Sequence, residues 1–230
     1  MATNRKTIFA TGEIYHVFNL GVERRDIFTD IREYKRAVET IRFYLHSNLP
    51  IRYSQFINLP LNLKEEFSEK LKQLEREVSI IAYCLMPNHF HLILKQLREK
   101  GLTRFLSNIT NSYTRYFNAK HKRIGHLFRG PFKAVHIETD QQLFHLTRYL
   151  HLNPVASFLV NINKLKGYIW SSFPEYLDLV KDPICNTSLT DSVFRKREDY
   201  EKFVYNQIEY AQKLEKIKHL AIDSKNEETV

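Results

Sequence analysis

The sequence predicts an α+β domain built on an antiparallel sheet, with helices mainly on one face. The first observation is the order of predicted elements, namely strand, helix, strands, helix, strand and helix, which packs most simply in this way. The second is the segment 89–94, HFHLIL, which as a strand places His89, His91 and Ile93 on one face and apolar residues on the other. The third is size, because 230 residues with 43% hydrophobic content suffice for one globular domain with a core.

Local patterns define the first elements in chain order. Aromatic and branched residues predict a strand over 12–20. Asp30 is a suitable N-cap for a helix that runs to about Ser47 and ends at Asn48-Leu49-Pro50. The next predicted elements are a strand over 51–57, a charged surface helix over 61–76, and two strands over 80–85 and 89–94.

Similar signals continue in the second half of the chain. Thr139-Asp140-Gln141-Gln142 fits a capping box and begins a helix that Pro154 prevents from continuing unchanged beyond about Asn153. The remaining predictions are a helix over 101–121, a loop over 122–132, a strand over 134–138, a packing segment over 168–177, a long helix over 191–220 and a disordered tail over 224–230.

Charge and composition narrow the classes of function. The net charge of +9 and the pI of about 9.4 favour a polyanionic partner, for which nucleic acid is the default. Two cysteines, Cys84 and Cys185, form no disulfide framework, so a reducing cytoplasm is expected. Neither a secretory leader nor an apolar run of about 18 residues is present, which predicts a protein that is neither exported nor embedded in a membrane.

Two pairs of residues carry candidate chemistry. Imidazoles at i and i+2 on a strand, here His89 and His91, suit a divalent metal, although paired surface histidines are the commoner case. Tyr149 and Asn153 lie four apart on one helix face. They predict either a nucleophile with a metal ligand or a core-edge tyrosine with a helix-terminal asparagine. His16, alone in its strand, is a minor candidate, because a lone strand histidine is usually structural.

A basic stretch provides the candidate substrate surface. No Asp or Glu occurs between Glu99 and Glu138, and the cations there alternate with aromatic rings, a pattern typical of single-strand binding. The alternative is that rings such as Tyr113 and Phe117 are core and the cations form a solvated face. The predicted DNA contacts are Arg115, Lys120, Lys122, Arg123, His126, Arg129 and Lys133.

Four ordered blocks give these candidates a common context. They read YCLMPNHFHLIL, GHLFRGPFKA, RYLHLNPV and YIWSSFPEY. In that order and at that spacing they resemble the REP-associated tyrosine transposases, a branch of the single-tyrosine HUH (histidine, bulky apolar, histidine) transposases. The resemblance covers roughly 12–177. The chain departs from it in the charged insert 61–76 and in the long C-terminal helix.

The resemblance implies a ferredoxin-like HUH domain over 7–180, followed by a helical extension with a disordered tail over 181–230. By this resemblance His89, His91 and Asn153 bind a divalent ion, Mg²⁺ or Mn²⁺, and Tyr149 is the nucleophile. The implied activity is cleavage and rejoining of single-stranded DNA that carries REP-like hairpins, through a covalent 5′-phosphotyrosine. A cytoplasmic, nucleoid-associated protein is expected, and a monomer is favoured over a dimer.

Two other functions stay open from the sequence. A metal-dependent nuclease would use the histidines without a covalent intermediate, and a non-catalytic nucleic-acid-binding protein would need neither metal nor nucleophile. Tyr113 and Tyr116 are rival nucleophiles that rank below Tyr149, because the residues four positions on are Phe117 and Lys120, neither of which is a suitable ligand.

Overall fold

The computed structural model describes residues 8–213, which form two compact units. Within this range, unit 1 consists of residues 8–81 and 87–138, and unit 2 consists of residues 82–86 and 139–213. No helix in the described range is both long and apolar enough to cross a bilayer.

A four-stranded sheet with the order β2-β3-β1-β4 organises unit 1. The central strand β1 pairs antiparallel with both β3 and β4, so the α+β class and the antiparallel sheet predicted from the sequence are confirmed. The strands are β1 (Ile14–Leu20), β2 (Val78–Met86, of which residues 78–81 belong to unit 1), β3 (His89–Gln96) and β4 (Lys133–Ile137). The helices are α1 (Ile31–Tyr44), α2 (Tyr53–Phe56), α3 (Leu61–Gln73) and α4 (Gly101–Lys120).

One face of the sheet forms the core of unit 1. Leu92 and Leu94 on β3 are fully buried, and Phe90 meets Phe128 with ring centroids 5.7 Å apart. Phe128 lies in turn 6.5 Å from the ring of Tyr113 on α4. The apolar face of β3 therefore points toward α4, and the histidines point the other way, as the alternation of residues 89–94 predicts.

Side-chain caps begin two of the helices where the sequence predicts them. The Asp30 carboxylate accepts a hydrogen bond from the Glu33 backbone N–H at 3.0 Å at the start of α1. The Thr139 hydroxyl accepts from the Gln142 backbone N–H at 3.2 Å at the start of α5 (Asp140–Ala156). Each cap satisfies a donor that the helix itself leaves without a partner.

Unit 2 is built around α5. Its other helices are a 3₁₀ segment (Ile162–Gly167), α6 (Phe173–Tyr176), α7 (Ser188–Asp191) and α8 (Arg197–Tyr205). The segment 168–177 packs as predicted, because the Ser172 backbone N–H donates to the Tyr83 carbonyl at 2.9 Å and Phe173 is fully buried. Val204 of α8 joins the same apolar cluster.

Three predictions about local structure are wrong. Residues 51–57 form the short helix α2 rather than a strand, because the Gln55 side chain accepts from the Arg52 backbone N–H at 2.9 Å. The helix α5 continues through Pro154 to Ala156, since a proline in the last turn removes only one helical hydrogen bond. The predicted helix 191–220 is interrupted within its described part, and residues 214–230 lie outside the described range.

Candidate active site

The predicted metal ligands His89 and His91 lie side by side on β3. Their ring centroids are 4.9 Å apart and the planes are perpendicular. The Nδ1 atom of His89 lies 2.6 Å from the side-chain oxygen of Asn88. Because that oxygen can only accept, Nδ1 carries the proton and Nε2 carries the lone pair. The hydrogen bond thus selects the tautomer in which Nε2 is available to coordinate a metal ion.

A third histidine supports His91. The His16 Nε2 atom lies 2.9 Å from His91 Nδ1, and the two rings stack with centroids 5.1 Å apart. Burial lowers the pKa of His16 to about 4, so the His16 ring is neutral near pH 7. If His91 donates through Nδ1, its Nε2 carries the lone pair, as in His89. From the sequence His16 is only a minor candidate, because the register between β1 and β3 brings it beside His91.

Tyr149 and Asn153 share one face of α5 in unit 2. Tyr149 is half-buried and Asn153 is buried. The side-chain nitrogen of Asn153 is itself buried and has no hydrogen-bond partner among the described residues. Leaving such a group unsatisfied costs about 1–3 kcal/mol, and buried groups of this kind require an explanation such as a ligand or ion. The unpartnered atom is a hydrogen-bond donor, so a group that binds there would have to supply an acceptor.

His151 fixes the rotation of α5. Its Nε2 atom lies 2.8 Å from the Ser172 hydroxyl oxygen and its Nδ1 atom lies 2.8 Å from the Tyr200 hydroxyl. Burial lowers its pKa to about 3, so the ring stays neutral inside the core. Residues two apart on a helix lie about 200° apart, so His151 anchors the face of α5 opposite Tyr149 and Asn153. No local pattern in the sequence indicates this role, because it depends on contacts 21 and 49 residues away.

Two of the predicted DNA contacts lie at the histidine end of the sheet. The Arg129 backbone N–H donates to the Leu20 carbonyl at 2.7 Å, and Leu20 is the β1 residue opposite His89. Lys133 is opposite Phe18, which is in turn opposite His91. Directly opposite residues share a face of a sheet, so Lys133 projects on the same side as the histidines.

Lys120 occupies a different environment. Its ammonium lies 2.6 Å from an Asp30 oxygen and 2.7 Å from a Glu33 oxygen, and His121 Nε2 lies 2.5 Å from the same carboxylate of Glu33. Burial opposes ionisation of Glu33, but hydrogen bonds from Lys120, Thr29 and His121 outweigh it and hold its pKa below the ordinary value. Lys120 thus stabilises the contact between α1 and α4.

The other predicted contacts are spread over α4 and the loop that follows it. Arg115, Lys122 and His126 are exposed. Arg123 lies over the Phe117 ring, with its Cζ atom 5.7 Å from the centroid, and its backbone N–H donates to Asn118. The structure therefore separates the predicted cations into a group at the sheet end and a group on the helix side of unit 1.

The rival nucleophile Tyr113 has a structural role. Its hydroxyl donates to the Ile27 carbonyl at 2.5 Å, and burial raises its pKa well above the ordinary value. Tyr116 is half-buried, and the Arg36 guanidinium lies 5.0 Å from its ring centroid. The core assignment of Tyr113 and Phe117 is confirmed, since both are almost fully buried.

The architecture is that of a tyrosine transposase. The structure of a REP-associated tyrosine transposase bound to a REP hairpin matches with a TM-score of 0.52 over 80% of this chain and 90% of that one, at 17% identity, which shows a shared fold. A provisionally assigned transposase from Deinococcus radiodurans R1 matches with a TM-score of 0.36 over 65% of this chain and 95% of that one, at 12% identity. No curated protein sequence matches the chain.

A family model identifies the chain more specifically. Residues 40–153 match the model described as IS200-like transposase, and this range includes His89, His91, Tyr149 and Asn153. The chain belongs to the IS200-like transposase family, and the resemblance drawn from the four sequence blocks is confirmed.

Proposed function

We propose that this protein is a metal-dependent transposase that cleaves and rejoins hairpin-containing single-stranded DNA through a covalent 5′-phosphotyrosine. The observation that carries the proposal is the pair of imidazoles on β3, each with its Nδ1 atom engaged by a neighbouring side chain. That arrangement is typical of metal-binding histidines. Membership of the IS200-like transposase family supports the same chemistry.

The donor set fits a divalent cation. Two imidazole nitrogens and a carboxamide oxygen, from His89, His91 and Asn153, would hold the ion and leave positions for water and substrate oxygens, which favours Mg²⁺ or Mn²⁺. When bound, the ion would polarise the phosphoryl oxygen and stabilise the charge of the transition state. The oxygen of the Asn153 carboxamide would bind the ion, and its unpartnered nitrogen would be free to donate to a phosphate oxygen.

Tyr149 would supply the nucleophile. Its phenolic oxygen would lose a proton as it attacks phosphorus, because a neutral phenol is a weak nucleophile. A P–O5′ link to the downstream strand is retained as phosphotyrosine, and the bond to the upstream 3′ oxygen breaks. That oxygen takes up a proton and leaves as a 3′-hydroxyl. Because the ester is conserved, attack by another 3′-hydroxyl rejoins DNA without ATP.

Hairpin DNA is the proposed substrate. The similar transposase structure contains a REP hairpin, and this chain has a net charge of +9, which suits a polyanion. The proposed contacts are Arg115, Lys120, Lys122, Arg123, His126, Arg129 and Lys133. We expect the smallest loss of DNA affinity from substitution of Lys120, since two carboxylates already neutralise its charge.

The remaining features of the proposal concern organisation and location. We assign the catalytic domain to residues 7–180 and a helical extension to residues 181–230. The described part of the extension contributes Tyr200 and Val204 to the apolar cluster that contains Leu152 of α5, so the extension would brace the helix that carries the nucleophile. We expect a nucleoid-associated cytoplasmic protein that acts as a monomer.

The decisive experiment uses Tyr149→Phe. Wild-type protein is incubated with Mg²⁺ and labelled single-stranded hairpins from the flanks of its own gene, and denaturing electrophoresis should show a protein–DNA adduct. Tyr149→Phe should lose both cleavage and adduct, and the control Tyr210→Phe, at an exposed tyrosine with no assigned role, should keep both. Cleavage that persists in Tyr149→Phe would indicate a plain nuclease. Equal binding in EDTA with no adduct from the wild type would indicate a non-catalytic DNA-binding protein.

A further inference from the structure

A large groove lies on the helix side of unit 1. It is bounded by α4, the end of α1 and the segment 46–57, and its cavity volume is about 1220 Å³. Sites for small ligands are typically about 300–1,000 Å³, so the groove is larger than a small molecule requires. We call it the α4 groove. The lining residues used below are Arg36, Arg52, Arg104, Asn108, Arg115 and Tyr116.

The floor of the α4 groove is a polar stripe along α4. Arg104, Asn108 and Arg115 lie on one helix face, as do Ser112 and Ala119, which also line the groove. At 1.5 Å per residue, the distance from position 104 to position 119 is about 22 Å. This length is several times the spacing of about 3.4 Å between successive phosphates along a stacked strand. The groove is therefore long enough to bind several consecutive units of a linear polymer.

Two aromatic rings orient the guanidinium group of Arg36 in the groove. Its guanidinium carbon lies 4.3 Å from the Tyr53 ring centroid and 5.0 Å from that of Tyr116. The two rings restrict the orientation of the guanidinium plane, but they do not accept hydrogen bonds from its N–H groups as a carboxylate would. Its Nε atom is buried and has no hydrogen-bond partner among the described residues. A buried donor without a partner, next to an open groove, indicates an acceptor that binds there.

The charge of the α4 groove is strongly positive. Four arginines line it, and Glu77 is its only acidic lining residue, which gives a formal charge of 4 − 1 = +3. Glu77 already accepts two hydrogen bonds from Arg104, at 2.9 and 2.5 Å. Arg52 and Arg115 form no ion pair with any residue in the range 8–213. Uncompensated guanidinium groups beside side-chain amides suit phosphates and base edges.

We propose that the α4 groove binds a stretch of single-stranded DNA on the face of the unit 1 sheet opposite the histidines. The apolar face of β3 meets α4 through Phe90 and Phe128, and the histidines are on the other face, so the two sites contact different parts of a strand. The proposal rests on the proposed function for the identity of the polyanion. In this proposal the α4 groove is a second binding site, which holds the unpaired DNA that flanks a hairpin and lies away from the bond that is cleaved.

The test compares two variants with equal changes in charge. Arg52→Glu/Arg115→Glu alters exposed residues of the α4 groove, and Lys70→Glu/Lys72→Glu alters exposed residues of α3 that do not line it. Binding of fluorescein-labelled oligo(dT) to the full-length protein is measured by anisotropy in EDTA between about 50 and 200 mM NaCl. The groove variant should bind at least about tenfold more weakly, and its salt slope should fall by about 1.4, since each lost phosphate contact contributes about 0.7.

The control variant should retain its salt slope. An equal loss in both variants, or no loss in the groove variant, would overturn the inference. Arg36→Lys, which keeps the charge but removes the planar fork, should also weaken binding, and thermal unfolding checks that all variants are folded. If poly-glutamate displaces the DNA as effectively as unlabelled oligo(dT) does, the groove recognises acidic polypeptide instead. Because binding in EDTA needs neither the nucleophile nor a metal, failure of the Tyr149 adduct experiment is distinguishable from failure of the groove.

Discussion

The role of His16 can be tested by its effect on metal affinity. In His16→Phe the ring remains but the partner of His91 Nδ1 is lost, and both residues are more than nine-tenths buried. An unpaired buried N–H costs about 1–3 kcal/mol. Removal of a group that orients a metal-binding histidine typically lowers metal affinity by about 10–100-fold, or roughly 1.4–2.8 kcal/mol. We therefore expect the Mn²⁺ dissociation constant of the variant to be at least about tenfold higher, and the unpaired N–H to lower its stability as well.

The assay is a Mn²⁺ titration in which electron paramagnetic resonance reports the unbound ion. His16→Gln, whose amide oxygen can accept from Nδ1, should recover much of the affinity. His136→Phe is the matched control, because His136 is a half-buried imidazole on the same sheet that bonds to Glu13 at 2.7 Å. A role in folding alone would lower the melting temperature of His16→Phe without changing its Mn²⁺ dissociation constant. Unchanged Mn²⁺ affinity in a folded His16→Phe variant would refute the reasoning.

Three further predictions concern stability and DNA binding. Glu33→Ala should lower the free energy of unfolding by about 2–3 kcal/mol, slightly less than for a fully buried pair because Lys120 is partly exposed. The pKa of Glu33 is depressed, so the stabilisation that Glu33 contributes should be present above the ordinary value of 4.5 and should fall as the pH drops below it. Glu33→Gln should weaken that pH dependence in urea titrations. Gly101→Ala should destabilise the folded protein by about 1–3 kcal/mol, because the new Cβ would lie 2.4 Å from a backbone oxygen. Gly167→Ala is the control and should be tolerated in the same thermal melts, because its Cβ would have no atom within 4 Å. Lys133→Ala should reduce hairpin affinity by a similar factor for all DNA sequences and lower the salt slope by about 0.7, and an unchanged slope would exclude a phosphate contact.

The local features of the fold were predictable because their causes are local. Asp30 and Thr139 cap helices through bonds to residues three positions on, and this spacing is visible in the sequence. The two faces of β3 follow from alternation, which places His89 and His91 together without knowledge of any other strand. The four sequence blocks indicated the family that residues 40–153 match.

The wrong predictions fall where tertiary contacts outweigh local preference. The segment 51–57 is rich in residues that favour strands, yet Tyr53 packs on Phe43 with ring centroids 5.3 Å apart and the segment turns as a helix. The predicted helix over 191–220 contains apolar residues at suitable spacing. The chain turns between α7 and α8 instead, where Phe194 packs against Tyr200 with ring centroids 5.3 Å apart.

The class of fold, the two pairs of candidate residues and the basic stretch without acidic residues all follow from the order of amino acids. Tertiary packing sets which cations in that stretch are compensated, because Glu33 and Glu77 reach Lys120 and Arg104 from 87 and 27 residues away. It also decided that His16 supports His91, since cross-strand register depends on how whole strands pair. Sequence periodicity indicates which face of its own helix or strand a side chain lies on. Charge balance and hydrogen bonding depend on the groups that a different helix or strand places beside that side chain.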